Sequence, residues 1–245
     1  MRSLLFILAH PDDETFFAAG TIAKYTAAGV RIAFLCATSG ERGSTADLTS
    51  IEELPRVREA ELGEAARVLG ITDVELLPYE DQKLWSAPPD VIRRELVQSI
   101  RRTRPEIVFT FDPNGANQHT DHISISRFAM DAVSAAADPR WHPETGAAHQ
   151  VHRVLWPPPI PAFELGRTPD LANKPGIDFL IDIAAWREKK LAALQAHRTQ
   201  FRNLRKLFLP DDYGERELAV EAFRIGWGPR PKKVPVDDLF DQESQ

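Results

Sequence analysis

The chain has 245 residues, 43% of them hydrophobic and 27% charged, the profile of one soluble domain that buries its core without disulfide or metal staples. Thirty Lys and Arg against 36 Asp and Glu leave a formal net charge of −6. That balance excludes nucleic-acid binding through bulk positive charge and a polybasic hold on acidic lipid. The single cysteine, Cys36, excludes an intrachain disulfide and a cysteine-cluster metal site.

Leu4 to Ala9 is apolar without alternation, as in a strand covered on both faces. His10-Pro11-Asp12-Asp13-Glu14 ends this run too early for a secretory core, and no stretch is long enough to span a bilayer. A cytoplasmic protein with no membrane partner is expected. Glu14 to Ala28 reads as a helix closed by Gly29. Val30 to Ala37 is a second strand, followed by the loop Thr38-Ser39-Gly40-Glu41-Arg42-Gly43. Pro55 opens a helix to about Leu69, with Gly70 after it, and Val74 to Leu77 is a short strand. Asp90 is expected to cap a helix from Val91 to about Arg102 that Pro105 terminates. Glu106 to Phe111 is a further strand, and His119 to about Ala137 a further helix.

Residues 139–176 hold 8 of the 19 prolines and read as an irregular insertion rimming the site. A last strand over Ile177 to Ile183, a helix from Ala184 to about Gln200 and another over Glu215 to Arg224 complete the body. The tail after Pro229 reads as wrapping the surface or fraying. Short apolar runs alternating with helices predict one α/β domain over residues 1–245, a Rossmann-like doubly wound sheet, mostly parallel, with helices on both faces. The first strand is not followed by G-x-G-x-x-G, and paired carboxylates there would repel a pyrophosphate.

Ligands of doubly wound sheets bind at the carboxyl ends of strands, where two clusters fall. His10 and Asp13, three apart around a turn, can converge on one metal ion, leaving Asp12 free to handle a proton. Nitrogen with carboxylate ligation suits Zn²⁺ or Fe²⁺ better than Mg²⁺. Helix capping by Asp12 or Asp13 would account for the acids, but not for a histidine ending a buried apolar strand. In His119-Thr120-Asp121-His122, one imidazole can complete the ligand set and the other act as proton donor or electrophile, with Asp121 orienting an imidazole.

Ala9-His10-Pro11-Asp12-Asp13-Glu14 and His119-x-Asp121-His122 closely resemble the LmbE-like, or PIG-L, metal-dependent N-acetyl deacetylases, and the resemblance covers nearly the whole chain. Thr38-Ser39-Gly40-Glu41-x-Gly43, Arg58-x-x-Glu61-Leu62, Leu77-Pro78-Tyr79-Glu80-Asp81 and Lys190-x-x-Ala193-Leu194-x-x-His197-x-Thr199-Gln200 are similar to further family segments, in the same order. The resemblance implies His10, Asp13 and His122 as zinc ligands, with Fe²⁺ as the alternative metal in the cell. It implies Asp12 as general base, His119 as stabiliser of the oxyanion or proton donor to the leaving amine, and Arg58, Glu41 and Asp81 as substrate contacts. Two positions depart from the pattern: Thr120 stands where proline is common, and Asn117 where some members carry a tyrosine that helps the oxyanion.

The implied function is zinc-dependent removal of the N-acetyl group from an N-acetylglucosamine-type conjugate, releasing acetate and a free amine. The alternatives are an amidase cleaving a larger amide, such as a thiol S-conjugate, and a non-catalytic sugar-binding protein. The resemblance also admits a homo-oligomer. Among the remaining residues, Cys36 reads as core, His142, His149 and His152 as surface or packing residues, and His197 as locally hydrogen-bonded. Trp141 and Trp156 read either as core or as the floor of a sugar subsite.

Overall fold

In the computed structural model, which describes residues 2–158, 176–201 and 218–241, the chain begins β1 (Ser3–Leu8), α1 (Asp13–Ala27), β2 (Arg31–Thr38), α2 (Leu54–Leu69) and β3 (Asp73–Tyr79). It continues with α3 (Pro89–Thr103), β4 (Ile107–Phe109), the single turn α4 (Gly115–Gln118), α5 (Thr120–Ala137) and β5 (Arg153–Trp156). β6 (Phe179–Asp182), α6 (Arg187–Ala196) and β7 (Val220–Trp227) follow. The strands form one seven-stranded sheet of order β3-β2-β1-β4-β5-β7-β6. The first five are parallel, and β7 runs antiparallel to β5 and to β6.

β1 is buried at every position because it lies mid-sheet under two helical layers. α1, α2 and α6 pack together as one layer and α3 and α5 as the other, while α1 and α3 both touch β1. The right-handed crossover rule places successive helices this way when the strand order reverses. The chain winds outward from β1 to β3, then returns to lay β4 against the free side of β1. The loops leaving β1 and β4 therefore diverge and leave a crevice at their carboxyl ends, where such sheets bind ligands. Phe6, Phe109 and Phe223 pack in series in the core, the first pair tilted and the second edge to face, with ring centroids 5.0 and 5.6 Å apart.

Several expectations need correction. Arg153–Trp156, inside the segment read as irregular, is β5, in parallel register with β4. A four-residue run is too short to show a period, and Arg153 disguises it. That arginine is 1% exposed and donates to the carbonyls of Pro229 (3.1 Å), Leu239 (2.7 Å) and Asp241 (3.3 Å). The tail is consequently packed rather than frayed as far as residue 241, with Leu239 and Phe240 buried. The expected helix over Glu215 to Arg224 is instead β7 from Val220 onward. The alternation of Phe223, Ile225 and Trp227 with Arg224 and Gly226 is the period-two signal that decides it. Asp90 lies in the first turn of α3 behind an N-cap at Pro88. Residues 159–175, within the expected rim, lie outside the described residues. Among the described residues no helix is long and apolar enough to cross a membrane.

Candidate active site

β1 stops at Leu8, and the following turn carries half of the site. Asp13, the first residue of α1, folds its carboxylate back to accept the N–H groups of Ala9 (3.2 Å) and His10 (2.8 Å), a charge favoured at a helix N-terminus. Asp12 is thereby left at φ +125°, a conformation that costs a non-glycine residue about 1–3 kcal/mol and persists only where its surroundings enforce it. Arg58 enforces it from α2, donating to the Pro11 carbonyl and to Asp12 Oδ2 (3.2 Å).

The other half follows β4. Buried Asp112 accepts the N–H groups of Ala116 (2.6 Å) and Asn114 (3.3 Å), holding a loop in which Gly115, Ala116 and Gln118 all have positive φ. This loop delivers His119 as the N-cap of α5, with its Nδ1 accepting the Asp121 N–H at 3.2 Å. His122, one turn on, stacks on Phe111 at 3.9 Å between ring centroids. Its Nδ1 lies 3.2 Å from the Gly115 carbonyl, so that nitrogen carries the proton and Nε2 presents a lone pair.

The two halves meet at His10. His10 Nδ1 lies 3.2 Å from His122 Nε2 and 3.7 Å from Asp13 Oδ2, and His122 Nε2 lies 3.2 Å from Asp13 Oδ1. His10 Nε2 faces Asp81 Oδ1 at 3.1 Å and Asp121 Oδ2 at 3.3 Å, so it too is the protonated nitrogen. Three donors then point lone pairs at one another in a buried space, an arrangement that only a proton or a cation between them makes favourable. Burial works against charge on His10, but Asp121, Asp81 and Asp13 outweigh it and raise its pKa to about 10. Burial likewise opposes ionised Asp13, yet His122 and His10 hold its carboxyl well below the usual range. His10, His119 and His122 form one group whose ligand atoms lie within 4.8 Å of one another, and His10, Asp81 and Asp121 form a second.

His10, Asp12, Asp13, Arg58, Asp81, His119 and His122 all line one cleft, with Phe16, Phe17, Gly43, Gln82, Asn117 and Gln200. Burial pushes the Asp12 carboxyl up to about 6, against the pull of the Arg58 guanidinium. Asp121 is fully buried behind the cleft, where it also accepts the N–H groups of Gln82 and of Leu84 (3.1 Å). Glu41 does not line the cleft. Its carboxylate is occupied by the Asp81 N–H (2.7 Å) and the Ser39 hydroxyl (3.0 Å), and it borders a neighbouring groove with Tyr79 and Glu80. None of His142, His149, His152, Trp141 and Trp156 lines the cleft.

The glycines of the Gly40-Glu41-Arg42-Gly43 loop have a steric reason. A Cβ on Gly40, which sits at φ +66°, would fall inside the Arg58 guanidinium, and one on Gly43 would crowd it as well. Gly40→Ala is expected to cost about 1–3 kcal/mol by overpacking, read as a lower urea midpoint. Because Arg58 is displaced from Asp12, kcat should fall as well with bound metal unchanged. Near-normal kcat in a folded Gly40→Ala protein would separate Arg58 from the work of Asp12.

The late Lys190 to Gln200 segment also acquires a structural explanation, one that sequence reasoning missed. His197 pairs not locally but with Glu14, Nε2 to Oε1 at 2.8 Å. Thr199 donates from its N–H (3.0 Å) and hydroxyl (2.7 Å) to Glu61, Lys190 pairs with Glu221 at 2.8 Å, and Gln200 reaches the cleft. The spacing of these four polar residues, each buried, was the available signal.

The chain is similar to known deacetylases. A family model described as PIG-L, GlcNAc-PI de-N-acetylase, matches residues 5–133. A 1D-myo-inositol 2-acetamido-2-deoxy-alpha-D-glucopyranoside deacetylase of Geodermatophilus obscurus is 32% identical, with 98% of this chain and 97% of the relative covered. The enzyme of that name from Thermobifida fusca is also 32% identical, over 98% and 99%. Among solved structures, the N,N'-diacetylchitobiose deacetylase from Pyrococcus horikoshii superposes with a TM-score of 0.71 at 26% identity, over 91% of this chain and 83% of that one. The match over residues 5–133, and relatives aligned along nearly the whole chain, establish that it belongs to the PIG-L, or LmbE-like, de-N-acetylase family.

Proposed function

We propose that the protein hydrolyses the N-acetyl group of an N-acetylglucosamine-type conjugate, giving acetate and a free amino sugar. His10 through Nδ1, His122 through Nε2 and Asp13 would hold a divalent cation, zinc or ferrous iron. The donor set of two imidazoles and a carboxylate suits either metal. When bound, the metal supplies Lewis acidity at the acetyl carbonyl and lowers the pKa of an attacking water.

The remaining work falls to the chain's own groups. Asp12, with a carboxyl near pH 6, is ionised at neutral pH and more basic than an ordinary aspartate, so it takes the water proton and can return it to the departing amine. Burial, with His10 and His122 nearby, lowers the His119 pKa, which keeps that ring neutral. Because its Nδ1 accepts a backbone N–H, its proton sits on Nε2, a neutral donor for developing charge on the carbonyl oxygen. Asp81 and Asp121 hold the outward nitrogen of His10. Gln82, Asn117 and Gln200 add neutral hydrogen-bonding groups, and Phe16 and Phe17 an apolar wall, a lining suited to the hydroxyls and C–H face of a pyranose.

The single observation that carries this reading is the convergence of His10, Asp13 and His122 beside a strained Asp12 in one cleft. The relatives' substrates make a GlcNAc-inositol conjugate the first compound to assay. In a panel of N-acetylated sugars scored for released primary amine, such glycosides should turn over in the presence of zinc. Amine release from none of them, by a metal-loaded protein, would overturn the proposal.

A further inference from the structure

Two buried pairs fasten α6 and the residues after it to α1. Lys190 reaches Glu221, which accepts the N–H groups of Gly20 (3.0 Å) and Thr21 (2.7 Å) in the middle of α1, and none of these four residues lines the cleft. The second pair, His197 with Glu14, is 1% and 0% exposed and ends elsewhere. Glu14 Oε1 takes the His197 donor, and its Oε2 accepts the Asp12 N–H at 3.1 Å.

The Pro11–Asp12 peptide unit is thus held at both ends, its carbonyl by Arg58 and its N–H by Glu14. Fixing that plane is what fixes φ of Asp12 at +125°. His197 Nδ1 is buried and has no hydrogen-bond partner among the described residues, a cost of about 1–3 kcal/mol for an unsatisfied polar group. Among the described residues the ring's one hydrogen bond is therefore the one to Glu14. Without that bond Glu14 would be a buried carboxylate short of a partner, free to turn away from the Asp12 N–H, and the peptide unit would be free to relax.

We propose that His197, acting through Glu14, is a positioning residue that holds the Asp12 carboxylate in its working direction. The inference rests on Asp12 being the base. A 1 Å misplacement of a reacting group costs about 10²-fold in rate. His197→Phe keeps the ring and removes the donor, and should lower kcat about 10–100-fold with KM and bound metal within about twofold of wild type. His197→Gln, whose amide restores a donor, should recover most of the loss. Lys190→Met, which breaks the other pair, should lower the melting temperature and leave kcat unchanged.

The Asp12→Asn background separates positioning from mere support. If His197 works through Asp12, adding His197→Phe to Asp12→Asn brings no further loss. Multiplying losses, a folded His197→Phe protein with kcat within twofold of wild type, or a kcat loss matched by metal loss would each overturn the proposal. Should His197→Phe not fold, His197→Asn, whose shorter amide falls short of Glu14, takes its place with the same expected values. Near-normal turnover by Asp12→Asn itself would instead refute the base assignment, whatever His197 does.

Discussion

Asp12→Asn is expected to lower kcat by about 10²–10⁴-fold, the range for loss of a general base. KM and metal content should stay near wild type. The amide keeps an oxygen facing Arg58, so the guanidinium retains a partner for the contact now made at 3.2 Å, but it cannot accept the water proton. Asp13, one residue on, is directed away from that duty: its carboxylate takes two backbone N–H groups and faces two imidazoles. Adjacent aspartates are given different work by the turn, because the positive φ of Asp12 sends the two side chains apart. Steady-state kinetics with metal analysis of the same preparation checks the prediction. A loss of metal in Asp12→Asn would mean that Asp12, not only Asp13, holds the ion.

His122→Ala should cost at least as much, by another route. Removing a residue that only orients a ligand weakens metal binding by about 10–100-fold, and removing a ligand should exceed about 100-fold. The purified variant should carry substoichiometric zinc and show activity only under excess metal, if at all. His119→Ala is the internal contrast. Its ring lies in the same cleft, but the proposed role is donation to the oxyanion, so its variant should keep the metal and lose kcat. If His119→Ala lost the metal and His122→Ala kept it, the ligand assignment would have to be exchanged between the two histidines. The group of His10, His119 and His122 makes that a concrete alternative.

The two halves of the candidate site were legible in the sequence because each sets histidine beside aspartate on the segment that leaves a strand, His10 soon after β1 and His119 on the longer loop after β4. β1 and β2 were legible as strands because Leu4–Leu8 and Ile32–Ala37 are apolar throughout. Pairings between distant polar residues were not legible. Glu14 and His197 stand 183 positions apart, and no local period announces a buried carboxylate that meets an imidazole only in the folded chain. Glu41 is the converse case: its motif suggested a substrate contact, and its carboxylate is taken up by the Asp81 N–H and the Ser39 hydroxyl outside the cleft lining. β5 and β7 were obscured by Arg153, Glu221 and Arg224, charged residues inside strands. The first two are buried only because carbonyls, in one case, and Lys190 with two N–H groups, in the other, receive them.

The central claim is that this cleft cuts an acetamide bond rather than merely binding a sugar. The direct measurement follows a GlcNAc-inositol conjugate labelled with ¹³C in its acetyl group by NMR, with zinc-loaded wild type and Asp12→Asn side by side. Labelled acetate and free amine should appear in equal amounts with wild type and be nearly absent with Asp12→Asn. Intact labelled substrate with the wild-type protein, or cleavage that leaves the label on the sugar, would contradict it.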